Sequence, residues 1–513
     1  MNGAESLLDT LIAGGVELCF MNPGTSEIHL VAALDGARGL RAVPCLFEGV
    51  ASGAADGYAR MSARPACTLF HLGPGLSNAL ANLHNACRAQ VPLVNLVGDH
   101  ATFHRPLDPP LASDIEAIAR PFSKWLRSSR AAGELGRDGA EAIAAARAAQ
   151  GQIATLIVPA DAAWNEGGRV ADVPAPASPP QAEPARVEQA ARMLRNGRRT
   201  AIVLGSHVLH GASLIRAARV AAATGAKLLA TFGFARMERG AGRPAVERIA
   251  YVAEQAMAQL RDFQQIVLVG APAPVAFFGH PSRLGLLAPD GCEIVPLSRP
   301  GEDGAAALEM LETELAARGA EPELQRAEPS APPRGEITLT GLARAVGAAL
   351  PQDAIVVDES ITSGRGLMPA TDAAPPHDWL VNTGGSIGLG MPLAVGAAVA
   401  CPARPVLCLE GDGSLMYTLQ ALWTAARESL AITTVVFANR SYAILKHELA
   451  ALGANPGPRA LGALDIGRPD IDFVALSKSL GVPATRVATL DEFATALRRG
   501  FASGEPNLIE LPL

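Results

Sequence analysis

The stretch that most constrains this chain is residues 407–445, LCLEGDGSLMYTLQALWTAARESLAITTVVFANRSYAIL. Apolar residues over 405–409 predict a short buried strand. It runs into Gly411-Asp412-Gly413, a tight turn at a strand's carboxyl end, followed by Ser414. A helical pattern then covers about 417–428, and a second apolar run over 433–437 delivers Asn439 and Ser441. Ligands of open α/β sheets sit at the carboxyl ends of strands. Asp412 and Asn439 therefore meet at one edge if the two strands are adjacent and parallel. A carboxylate, an amide oxygen and a backbone carbonyl are hard donors that suit Mg2+, which completes its shell from phosphate and water. The glycines allow close approach of the backbone to a diphosphate. On these residues alone, a plain Gly-Asp-Gly turn between two strands reads the same way.

Length and composition narrow the classes. A chain of 513 residues is long enough for about three domains. Hydrophobic residues are 49% and charged residues 18%, which fits a large buried core rather than disorder. The net charge of −7 comes without a basic block, which argues against a nucleic-acid partner. Seven cysteines lie scattered without CxxC spacing. That pattern predicts reduced thiols, neither a disulfide frame nor a zinc site. MNGAESLLDTLIAGG is no basic leader, so a cytoplasmic protein is expected. Apolar stretches such as 393–399 are too short and broken to span a membrane.

Short strands alternate with helical segments over residues 1–165. Strands are expected at 17–20, 43–47, 66–70, 93–97 and 154–158. Helices are expected at 4–14, 49–60 and 78–89, with 71–75 as a turn. The Ala- and Gly-rich helix at 49–60 predicts close packing on another element. A Pro- and Ala-rich linker covers about 166–184. A second unit over 184–320 has strands at 200–204, 227–230, 265–269 and 293–296. A second linker covers 320–334, and a third unit covers 335–513. Alternating β and α elements predict parallel, doubly wound sheets.

Outside the opening stretch, Glu48 is the sharpest single residue. It ends an apolar strand and begins the small-residue helix, where either a functional carboxylate or an ordinary capping acid fits. NTGGSIGLGMP, residues 382–392, is a Gly-rich segment after a strand. Thr362 follows another strand end, at DESIT, and also suits a helix N-cap. Thr25, in NPGTSE, and His71, in LFHLGPG, sit at turns after strands. Thr25 equally suits a turn-stabilising role. An imidazole such as that of His71 can relay protons near neutral pH.

Together these segments resemble the thiamine diphosphate (ThDP)-dependent 2-oxo acid decarboxylase/carboligase family. GDGS followed by Asn439 resembles its diphosphate motif, LFEGVASGAADGYAR its glutamate segment, and NTGGSIGLGMP its cofactor-bending loop. The resemblance implies an α/β fold of three doubly wound parallel-sheet domains. These would be an N-terminal pyrimidine-binding domain (1–165), a middle domain (184–320) and a C-terminal diphosphate-binding domain (335–513). It implies that Asp412, the Asn439 side chain and the Ser441 main-chain oxygen hold Mg2+. Gly411, Gly413, Ser414 and Thr362 would contact the diphosphate, and Met416 the cofactor. Gly385 would offer its carbonyl to the 4′-amino group, and Ile387 would wedge between the two rings. Glu48 would hydrogen-bond N1′ and so promote loss of the C2 proton. The resulting ylid adds to a 2-oxo acid, and loss of CO2 leaves an enamine. Thr25 would contact the substrate carboxylate and His71 would relay protons, as in benzoylformate decarboxylase.

Two members of the family compete as templates. Overall spacing is similar to a short acetolactate synthase large subunit, with decarboxylation and carboligation. ARPFSKW at 119–125, QALWTAARES at 420–429 and His71 are similar to benzoylformate decarboxylase, which releases an aldehyde. The loop at 104–121 lacks the Gln of true acetolactate synthases. The middle unit has no GxGxxG fingerprint, which argues against FAD. The family pattern Asn-Asn-Gly is replaced by Ala438-Asn439-Arg440. In this family each site is completed by a neighbouring subunit, so a homodimer or homotetramer is implied. A non-catalytic binding or regulatory protein on the same fold is the alternative of another class. His280 does not align with a family pattern. The pairs His100/His104 and His207/His210 lack neighbouring acids and read as structural.

Overall fold

Aliphatic and β-branched runs bounded by Gly, Pro and Asn become strands, and the segments between them cross back as helices. The computed structural model describes residues 1–279, 281, 285–328 and 331–513. In the first unit the strands are β1 (Leu18–Asn22), β2 (Arg41–Pro44), β3 (Ala66–Phe70), β4 (Leu93–Asp99), β5 (Trp125–Ser128) and β6 (Ile153–Pro159). They form one parallel sheet in the order β2-β1-β3-β4-β6-β5. The middle unit holds β7 (Thr200–Leu204), β8 (Lys227–Ala230), β9 (Met237–Arg239), β10 (Glu247–Arg248), β11 (Gln265–Val269) and β12 (Glu293–Ser298). Its sheet order is β10-β8-β7-β11-β12.

The third unit contributes β13 (Ile355–Glu359), β14 (His377–Val381), β15 (Val406–Gly411), β16 (Ile432–Ala438), β17 (Ala484–Arg486) and β18 (Asn507–Pro512). Their order is β17-β18-β16-β15-β13-β14, with β9 of the middle unit added antiparallel at the β14 edge. That added strand is the one departure from a purely parallel sheet. β16 is buried along its whole length between β15 and β18. A strand covered on both faces reads as a continuous apolar run. Each fully buried Val or Phe there contributes about 1.5–3 kcal/mol over its exposed state.

The first and third units meet through two helices, Glu48–Ser62 and Gly390–Ala400. A Cβ on Gly57 would sit 2.1 Å from the Leu393 carbonyl oxygen, and one on Gly396 would sit 1.9 Å from that of Ala54. Only glycine permits this approach of backbone to backbone. Arg60 locks the same junction. Its guanidinium pairs with Asp56 at 2.6 Å and donates to the carbonyls of Ala235 and Val381. All three units thus meet at one side chain.

Several element boundaries differ from the sequence reading. The helix expected at 78–89 begins at Leu72 and takes in the supposed turn. Pro74 falls within its first turn, where the missing N–H costs nothing. The helix expected at 417–428 is two pieces, Asp412–Leu415 and Ala421–Arg427. The strand expected at 43–47 ends at Pro44, and β5 was not foreseen. Among the described residues all seven cysteines are free, and no helix is long and apolar enough to cross a membrane.

Candidate active site

Three adjacent strands set one half of the site. Thr25 lies in the turn after β1, Glu48 follows β2, and His71 follows β3. Parallel pairing of β1 with β2 and β3 puts all three at one carboxyl edge. Thr25 is exposed there. Glu48 begins its helix and is 6% exposed. Its carboxylate accepts a hydrogen bond from Asn78 Nδ2 at 3.0 Å. The preceding residue, Phe47, supplies no side-chain cap, so the Glu48 carboxylate is the acidic group at that helix terminus.

His71 has a partner that sequence reading missed. Its Nδ1 lies 2.8 Å from Glu27 Oε2, which also accepts the Gly24 amide at 2.7 Å. Glu27 is fully buried, and its Oε1 has no hydrogen-bond partner among the described residues. Burial pushes the Glu27 carboxyl up, against the hydrogen bonds from Gly24 and His71.

The other half is set by β14, β13, β15 and β16, again neighbours in one parallel array. Gly385 and Ile387 follow β14, and Thr362 follows β13. Gly411 ends β15, with Asp412, Gly413, Ser414 and Met416 just beyond, and Asn439 and Ser441 follow β16. Asp412 Oδ2 accepts the Arg440 amide at 2.6 Å, and Oδ1 accepts the Gly413 amide at 2.8 Å. Burial pushes this carboxyl up while those amides pull it back. Asn439 Oδ1 accepts the Ser441 amide at 2.9 Å. Two strand ends are thereby stitched into one oxygen-rich turn. Met416 is half-buried against the core.

Arg440 stands where the family pattern has glycine, and its φ is +56°. Leu72, beside His71, and Ile361, beside Thr362, are also left-handed at +49° and +51°. Such residues cost roughly 1–2 kcal/mol each. At Arg440 the surroundings hold the conformation. Its amide bonds Asp412, its carbonyl accepts from Ile466, and its Nε donates to Asp470 at 2.8 Å.

Glu359 is a second residue that sequence reading missed. It is buried at the end of β13, and one of its oxygens accepts the amides of Gly388, Leu389 and Gly390 at 2.9–3.0 Å. The other accepts Asn382 Nδ2 at 2.8 Å. One carboxyl therefore organises the Gly-rich segment. Burial raises it to about 7, against those four hydrogen bonds. From the first unit, Asn82 donates to the carbonyls of Gly49 and Gly388, and Asn85 donates to that of Ser386. The helix carrying Glu48 and the 382–390 segment are thus tied together.

Residues 1–116 match the family described as thiamine pyrophosphate enzyme, N-terminal TPP binding domain. Residues 364–511 match its C-terminal TPP binding domain. A Mycobacterium tuberculosis protein, IlvX, is 53% identical over 100% of this chain and 99% of its own length. Its name places it provisionally among acetolactate synthase large subunits. The chain belongs to the thiamine pyrophosphate enzyme family. The benzoylformate decarboxylase of Pseudomonas aeruginosa is 28% identical over 97% of this chain and 96% of its own. Among solved structures, the ThDP-dependent 4-hydroxybenzoylformate decarboxylase of Rhodococcus jostii superposes with a TM-score of 0.83. It covers 100% of this chain and 99% of its own at 24% identity, which speaks to the fold.

The residues present fit the family's cofactor. Among the described residues no cluster of three or more His, Cys, Asp or Glu could hold a metal unaided. The Asp412, Asn439 and Ser441 set offers one acid and two neutral oxygens. Such a set needs phosphate oxygens to complete a Mg2+ shell. His280 lies outside the described residues. The His100 and His104 rings pack edge to face at 5.8 Å. His207 is pushed down to about 4, chiefly by burial, as for a structural imidazole.

Proposed function

We propose that this protein is a ThDP- and Mg2+-dependent enzyme of 2-oxo acids, similar in organisation to acetolactate synthase large subunits. Its three working units would be 1–165, 184–320 and 335–513. When bound, ThDP would supply an acidic thiazolium carbon as nucleophile toward a keto group and an electron sink for decarboxylation. The chain's own residues do the rest. Asp412, Asn439 and Ser441 hold Mg2+, and Gly411, Gly413, Ser414 and Thr362 line the diphosphate. Gly385, Ile387 and Met416 shape the seat of the two rings. Glu48 moves the proton at the pyrimidine, from a buried helix terminus. Thr25 orients the substrate carboxylate.

The observation that carries this reading is the Asp412–Arg440 hydrogen bond, which closes the oxygen-rich turn across two adjacent strands. CO2 release from a panel running from pyruvate to phenylglyoxylate, with ThDP and Mg2+ added, tests it. The organic product would be identified in each case. No CO2 from any acid would sink the reading.

A second reading, protonation to a free aldehyde, is favoured by the His71–Glu27 contact, since a positioned imidazole can deliver that proton. Aldehyde without a ligated product would select it. Assembly belongs to the same proposal: Glu48 of one subunit would serve the diphosphate half of another, in a homodimer or homotetramer. Light scattering that gave only monomer, 52.9 kDa, with ThDP bound would refute it.

A further inference from the structure

A cleft of 220 Å3 opens between the middle and third units. One wall is aromatic. The Phe277 ring lies 5.4 Å from Tyr251, 6.0 Å from Phe232 and 5.0 Å from Phe278, centroid to centroid. The Ala443–Ala451 helix, just beyond Ser441, bounds the cleft opposite them. The Tyr251 hydroxyl donates to Glu448 Oε1 at 3.2 Å and so ties the walls together. Phe277 also touches the Gly-rich segment. A Cβ on Gly385 would sit 2.4 Å from Phe277 Cζ, and Gly385 has φ +82°. One wall of the cleft thus packs on the Gly-rich segment, and the other is the helix that follows Ser441.

Phe277 is 45% exposed and Phe278 is 59% exposed. Neighbouring rings left this open leave apolar area for a ligand to cover. Arg365, Glu254 and Glu448 line the same cleft, so its charge is mixed and the aromatic wall is what distinguishes it.

We infer that this cleft receives the substrate's side chain and selects a flat aromatic one. The inference rests on the 2-oxo acid reading and narrows it to a substrate class. An apolar cavity of about 150 Å3 already holds benzene, so the cleft has room for a phenyl group. A methyl group would leave Phe277 and Phe278 largely in water and gain few contacts. Tyr251, Phe277 and Phe278 are then the residues that set specificity.

The test separates binding from chemistry. Mandelate keeps the ring and carboxylate but has no keto group; lactate is its methyl counterpart. Both are titrated by calorimetry into protein loaded with ThDP and Mg2+, beside CO2 release from phenylglyoxylate and pyruvate. Mandelate should bind about tenfold or more tighter than lactate, and phenylglyoxylate should be preferred at least as strongly in kcat/KM. Phe278→Ala and Phe277→Leu should each cut both ratios about fivefold or more. Phe278 is exposed enough that its loss does not threaten folding. Ratios near one, or unchanged in both variants, overturn the inference. A change in assembled mass with unchanged ratios also overturns it, because the rings would then be a subunit contact. Mandelate selectivity without CO2 from any acid would keep the aryl site and defeat the reaction.

Discussion

Glu27 Oε2 holds His71 Nδ1 at 2.8 Å from within the core, while Glu27 is itself anchored by the Gly24 amide. The carboxyl fixes the ring from behind, so its second nitrogen is the one available to a ligand. If His71 moves the proton that decides between aldehyde and ligated product, His71→Ala should lower kcat by about 10²–10⁴. Glu27→Gln keeps an acceptor for Gly24 and should cost less, about tenfold. Steady-state kinetics with saturating ThDP checks both. Equal kcat in His71→Ala and the wild type would remove His71 from proton transfer.

Asp412 binds two backbone amides and presents the only acid of its oxygen set. ThDP with Mg2+, at about a hundred times its Kd, should stabilise the wild type by about 2.7 kcal/mol. In Asp412→Ala that gain should vanish, and chelating Mg2+ should abolish it in the wild type. Thermal unfolding with and without the ligands reads this directly. A Mg2+-dependent stabilisation retained in Asp412→Ala would take Asp412 out of the metal site.

The legible parts of this chain were those fixed by local pattern. The runs at 66–70, 200–204, 227–230 and 265–269 coincide with strands β3, β7, β8 and β11. Each is apolar and bounded by turn-forming or polar residues. Asp412 and Asn439 were legible as neighbours because one crossover joins two adjacent parallel strands. Partnerships made through the sheet were not legible. His71 and Glu27 are 44 positions apart and meet only because β1 pairs with β3. Glu359 reads as an acid beside a possible cap, yet its partners lie about thirty residues on, past β14. The antiparallel addition of β9 had no signal either, because three residues carry no period.

Arg60 and Asp56 form an ion pair with both side chains at 0% exposure. Arg60→Met would leave the Asp56 carboxylate without its cation, and the Ala235 and Val381 carbonyls without their donor. Removing one partner of a buried pair costs about 3–5 kcal/mol. Since Arg60 bridges all three units, the loss should lower the first unfolding transition rather than only the last. Asp56→Asn should be milder, because it keeps an acceptor for Arg60. Calorimetry of the apo proteins decides. A change in Arg60→Met of less than about 1 kcal/mol would mean the junction holds without it.

Glu359 gives the clearest dependence on pH. Its carboxyl stands at about 7 in the fold, against 4.5 in the unfolded chain, with burial as the leading cause. A raised carboxyl keeps its proton longer when folded. Between about pH 4.5 and 7 the native state therefore holds more protons than the unfolded state. Its contribution lowers stability as pH rises through that window and is flat above it. The full span corresponds to about 3 kcal/mol. Glu359→Gln cannot ionise but keeps an oxygen for the amides of Gly388, Leu389 and Gly390. The stability of the variant relative to the wild type should therefore rise by about 3 kcal/mol from pH 4.5 to pH 8. Urea unfolding of both apo proteins across that range measures it. A difference independent of pH would show that this carboxyl does not titrate there, and that its hydrogen bonds to the Gly-rich segment outweigh its burial.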